Sequence, residues 1–118
     1  MSGGYFDYDQ YRIGQIADQI EDLIFHNGHD EKDDYGCNRF SDYRPEIIDK
    51  FKTAVNILRI AQVYAQRVDW LVSGDDGEDC LLTRLKEDLM KLDVQGVITS
   101  IQAVHDELNS LPVDNPTT

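Results

Sequence analysis

The sequence predicts an all-α fold, a four-helix bundle-like single domain with a long central helix, on three observations. Apolar residues recur at three- and four-residue steps in four separate stretches, which is the spacing of one helix face. Helix punctuation stands between the stretches: Asn27-Gly28, Pro45, the acidic turn at 73–79, and Asp93. No apolar–polar alternation runs long enough to make a strand, and no internal repeat is present.

Residues 1–8 are a glycine-led, aromatic-rich opening segment. From Asp9 the pattern turns helical, with Ile13, Ile16, Ile20, Leu23 and Ile24 in register and Asp18, Gln19, Glu21 and Asp22 on the other side. Gly14 weakens its first turn by about 1 kcal/mol relative to alanine. Asn27-Gly28 closes the helix, because both residues tolerate the left-handed backbone of a C-cap. Residues 28–44 show no periodicity, a connection longer than the usual limit of about 12–15 residues, which Phe40 and Tyr43 can pin to the body.

Pro45 suits a first helical turn, and a helix from Pro45 to Val72 follows. At about 1.5 Å per residue it spans roughly 40 Å, so it either bends or projects and pairs with a second copy as a homodimer. One face carries Ile47, Phe51, Ala54, Leu58, Ala61, Ala65, Val68 and Val72, and another carries Ile60, Val63, Tyr64 and Leu71. A helix apolar on two sides is expected to be covered on two sides. In the turn that follows, Asp75 or Asp76 is placed to cap the third helix, with Glu78 and Asp79 favourable in its first turn. That helix carries Leu81, Leu82, Leu85, Leu89 and Leu92. Asp93 caps the last, whose stripe is Val94, Val97, Ile98, Ile101, Val104, Leu108 and Leu111, and Pro112 begins an exit tail.

A length of 118 residues fits one domain that buries roughly two-thirds of its unfolded surface. The net charge is −12, and only residues 46–72, with four basic and three acidic side chains, are not acidic. Direct nucleic-acid binding needs a basic patch and is not expected, whereas a partner with a basic surface is attracted. No apolar run spans a bilayer and none follows a basic N-terminus as in a signal peptide, so neither membrane insertion nor secretion is expected. Cys37 and Cys80 read as free, reduced thiols of a cytoplasmic protein.

Four groupings are candidates for chemistry. Asp69, at about 100° per residue, falls in line with Phe51 inside the apolar stripe and near a helix C-terminus that disfavours its charge. It therefore needs a cationic or hydrogen-bonding partner, as a ligand-binding acid or, more plainly, as a pair or cap fixing the acidic turn. Arg67 and Trp70, with Arg59 and Tyr64 earlier on the same helix, form either a protein-interface pairing or a grip for a small nucleotide, guanidinium on phosphate and ring on base. The plainer reading is a core tryptophan with surface arginines. Asp75, Asp76, Glu78 and Asp79 can gather round a divalent cation, although the spacing is not that of a calcium loop, and a solvated turn is the simpler reading. Asp18, Glu21 and Asp22 echo the carboxylates of magnesium-dependent all-α nucleotide pyrophosphohydrolases, but without a second acidic pair. His26, His29 and Cys37 make a poor zinc set. No nucleophilic triad and no phosphate loop has local support, so no cofactor and no catalytic residue is assigned.

The opening Met-Ser-Gly-Gly-Tyr-Phe-Asp-Tyr, continuing to Ile16-Ala17-Asp18, resembles the start of a group of small phage and prophage proteins. So does the segment from Tyr64 to Glu78, Tyr-Ala-Gln-Arg-Val-Asp-Trp-Leu-Val-Ser-Gly-Asp-Asp-Gly-Glu, followed by Arg84-Leu85-Lys86. The resemblance implies an accessory protein acting inside a host cell and assigns no activity to any residue. The expectation is a non-enzymatic protein that binds and blocks a host protein, as in counter-defence. A nucleotide-sequestering protein is the alternative, and a magnesium-dependent nucleotide hydrolase the second alternative.

Overall fold

The computed structural model describes residues 5–29, 34–36 and 41–110. Four helices follow in chain order: α1 (Gln10–His26), α2 (Pro45–Val72), α3 (Glu78–Met90) and α4 (Val94–Ser110). No strand occurs among the described residues. No described helix is long and apolar enough to cross a membrane. Residues 1–4, Cys37, Phe40, Leu111 and the tail from Pro112 lie outside the described residues.

Helix α2, 28 residues long, is the element on which α1, α3 and α4 each pack. Pro45 sits at its start, where the missing N–H has no helical partner to lose. The α1–α2 contact is close because α1 turns small residues toward it, Gly14 and the fully buried Ala17. The end of the Gln62 side chain lies over Gly14, and a Cβ there would require that amide to shift. Gln10 adds an amide hydrogen bond to Gln66, at 2.9 Å.

Helix α1 ends at Asn27, and Gly28, with φ +79°, supplies the left-handed residue. Asn27 itself is extended and works through its side chain. Its Oδ1 accepts the Tyr43 N–H at 2.7 Å and its Nδ2 donates to the Tyr43 carbonyl, while the Gly28 N–H donates to the Ser41 carbonyl at 2.8 Å. The two ends of the long connection are thereby clasped, and Tyr43 stacks near Phe51 with centroids 5.3 Å apart.

Helix α4 meets α2 through polar and small groups. Asn56 Nδ2 donates to Ser100 Oγ at 2.8 Å and to the Gly96 carbonyl at 3.2 Å, and Lys50 pairs with Glu107. Asp93 Oδ1 accepts the Gly96 N–H at 3.2 Å and opens the helix as expected of a cap. The cap of α3 differs from expectation. Gly77 takes that position without a side-chain hydrogen bond, because the Asp76 carboxylate is engaged by arginines instead.

Burial is thin. Ala17 and Val55 are the buried apolar residues among those described, and the buried polar ones are Gln10, Arg67, Asp69 and Ser100. The two apolar faces expected of α2 are covered only in part: Tyr64, Val68 and Val72 stay exposed and the other members are half-buried, and Ile57, outside both faces, is exposed too. The radius of gyration is 18.6 Å, against about 14 Å for a compact chain of this length. Carbon surface that a closed bundle would bury is left open.

Candidate functional site

The residues singled out in sequence do not converge on one place. They divide into four groups along α2, each facing a different neighbour.

Arg59 faces α1. Its Nη2 donates to Asp18 Oδ1 at 2.7 Å and to Glu21 Oε1 at 2.9 Å, and its Nη1 reaches the Gly14 carbonyl at 3.4 Å. The Asp18 hydrogen bond, against the desolvation of partial burial, raises the Arg59 pKa above the ordinary arginine value. The acidic face of α1 therefore serves as the counter-charge of Arg59, and two of its three carboxylates are spent there.

Arg67 faces α3 and is only 7% exposed. Its Nε donates to Asp88 Oδ2 at 2.7 Å and its Nη1 to Asp76 Oδ2 at 3.1 Å, while Arg84 approaches Asp76 Oδ1 at 3.4 Å. The guanidinium carbon lies 4.5 Å from the Trp70 ring centroid, a cation–π distance. The Trp70 carbonyl accepts the N–H groups of Asp75 and Asp76, at 2.8 and 3.1 Å, which folds the acidic turn back over the helix end. Asp75 and Glu78 remain exposed on that turn. Among the described residues no group of three or more His, Cys, Asp or Glu is placed to hold a metal ion. Cys80 is a free, exposed thiol.

Asp69 is 3% exposed and has the hydrogen-bonding partner its position demanded. Its Oδ1 accepts the Phe6 N–H at 2.9 Å, and one turn on, Ser73 Oγ accepts the Tyr5 N–H at 3.0 Å. It anchors the opening segment. That segment needs anchoring, since Asp7 and Tyr8 hold φ of +54° and +65°, unusual for residues with side chains.

Tyr64 is exposed and lines an apolar hollow of about 240 Å³ with Ile60, Met90, Val94, Ile98 and Ile101. A second hollow, about 490 Å³, continues along the α2–α4 groove past Ile57, Ala61, Val104 and Leu108. Of the described residues of the α4 stripe, Val97 and Val104 are half-buried, while Val94, Ile98, Ile101 and Leu108 stay exposed. A legible signal existed: Gly96, Ser100 and Ala103 are small and share the opposite face of α4, the one that docks on α2. On the other side of α2, Glu21, Asp49 and Asp93 line an open polar cleft of about 740 Å³, with Lys52 beside them and Asn56 and Ser100 in its wall.

No protein-family model matches this chain, and no curated protein or solved structure matches it either.

Proposed function

We propose that this chain is a non-enzymatic phage-type accessory protein that binds and blocks a host protein with a basic surface, in counter-defence. In this reading α2 is the long central helix of a bundle whose outward face is an anion. One observation carries it. The 23 acidic residues outnumber the 11 basic ones, the arginines Arg59, Arg67 and Arg84 are held by carboxylates of the same chain, and among the described residues every Asp and Glu but Asp69, Asp76 and Asp88 is exposed. The cleft beside Asp49 and Asp93 is where lysine or arginine side chains of such a partner would be received.

The test is capture from host lysate by the immobilised full chain. The expected result is a stoichiometric basic partner at low salt, released as NaCl approaches about 0.5 M because exposed charges are then screened within a few ångströms. Charge reversal by Asp49→Lys is expected to weaken capture at least tenfold. Recovery of no stoichiometric partner at low salt overturns the reading.

Sequestration of a small nucleotide by Arg59, Tyr64, Arg67 and Trp70 ranks second. The two guanidiniums face different helices with their charge already met, and the Trp70 ring is paired with Arg67. A magnesium-dependent hydrolase ranks third, since Asp18 and Glu21 are engaged by Arg59. A nucleotide at 100 times its dissociation constant would stabilise the fold by about 2.7 kcal/mol, so a thermal-shift panel of cyclic and linear nucleotides separates the second reading from the first.

A further inference from the structure

Val94, Ile98, Ile101, His105 and Leu108 succeed one another along α4 at steps of four, three, four and three. That is the seam of a heptad coiled coil, whose a and d positions face another helix. Within this chain the seam only borders the α2–α4 groove. Helix α4 hydrogen-bonds α2 through Gly96 and Ser100, on its opposite side, and the four apolar seam residues stay between 46% and 62% exposed.

Tyr64 and Met90 widen the seam into a continuous face with no charged member. With about 150–200 Å² for each large apolar side chain, these six exposed residues present on the order of 600 Å² of carbon surface. A stable dimer of standard size buries about 800 Å² on each partner, some 65% of it apolar in homodimers, or about 520 Å². One copy of the face has the area that half a dimer interface requires. A basic partner would find no countercharge on it.

We infer that a second copy of this chain covers this face, with the two α4 helices antiparallel about a two-fold axis beside Ile101. Charge selects the direction. Helix α4 carries no lysine or arginine, and its carboxylates lie in the C-terminal half, Asp106 exposed and Glu107 paired with Lys50 of α2. Parallel pairing would bring like charges together, whereas antiparallel pairing sets them at opposite ends and opposes the helix dipoles favourably. The seam is centred on Ile101, so Val94 meets the partner's Leu108, and knobs of each copy enter the two hollows of the α2–α4 groove. His105 is the one polar seam residue, hydrogen-bonding Asn109 at 3.2 Å, and such a residue fixes register at a cost in affinity.

Sedimentation equilibrium of the full chain at about 100 µM tests this. The expected species has twice the 13.5 kDa chain mass. Two copies of net charge −12 repel, so raising NaCl from about 50 to 500 mM should tighten the dimer, the opposite sign to the host-partner interaction proposed above, which can fail without affecting this result. Ile101→Asp should weaken association at least about 100-fold with unchanged helical circular dichroism. His105→Leu should tighten it about tenfold, a gain that no folding defect mimics. With Cys37 and Cys80 replaced by Ser, Val94→Cys should cross-link to Leu108→Cys but not to itself. A monomer at 100 µM, a dimer indifferent to Ile101→Asp, or Val94→Cys cross-linking only to itself overturns the proposal.

Discussion

Asp69 shows how one side chain reconciles unfavourable positions. It lies near the negative end of the α2 dipole and is nearly excluded from water, yet it accepts the Phe6 N–H at 2.9 Å and so gives a strained segment a fixed attachment. Asp69→Ala leaves that backbone donor without its acceptor. The expected loss is about 1–3 kcal/mol, with faster hydrogen exchange at Tyr5 and Phe6, whereas Asp69→Asn keeps an acceptor oxygen and loses less. Exchange measured by NMR checks both. Exchange at those two amides as slow as in the wild type would show that Asp69 is not the anchor. The need for a partner was legible from residue 69 itself. The partner was not, because it stands 63 positions away.

At the scale of elements, the helices are joined by charge as much as by carbon. Arg67 spans from α2 to Asp76 of the turn and Asp88 of α3 while lying over Trp70, so it is the main polar bond between those helices. Removing it leaves Asp76, with a side chain only 7% exposed, to Arg84 alone at 3.4 Å, and Asp88 to Lys91 at 3.9 Å. Arg67→Ala should therefore cost about 3–5 kcal/mol in urea unfolding, and Arg67→Lys a good part of that, because an ammonium cannot present the fork that meets both acids. Loss of less than about 1 kcal/mol in the alanine variant would mean that α3 is held by its leucines instead. Helix bounds were readable from local chemistry: Pro45 opens α2, Gly28 closes α1 and Asp93 opens α4. Asp76 defeated the same kind of reading, because a distant arginine took the carboxylate that a cap would have used.

For the molecule as a whole, surplus negative charge and thin burial act together. Self-repulsion of a −12 chain is screened by salt, so its thermal midpoint is expected to rise by several degrees between about 20 and 300 mM NaCl. A scanning-calorimetry midpoint that falls over this range would show that the exposed ion pairs, such as Arg59 with Asp18 and Glu21, outweigh the repulsion. The extended outline and the uncovered α2–α4 groove belong to the same picture, a chain whose apolar surface is larger than its own fold encloses.

Local order was determined by the sequence alone: all-helical secondary structure in four segments, the Pro45, Gly28 and Asp93 boundaries, and a surplus of acidic residues. Periodicity, capping and net charge act over a few residues or none, so they can be read without coordinates. Tertiary structure decided the rest. It showed which carboxylates neutralise which arginines, that Asp69 serves the opening segment, and that α4 docks by its small-residue side and leaves Val94, Ile98, Ile101 and Leu108 exposed. Those outcomes depend on which helix faces meet, and faces are joined by contacts between residues far apart in the chain, such as Asn56 with Gly96 and Ser100, which no local pattern specifies.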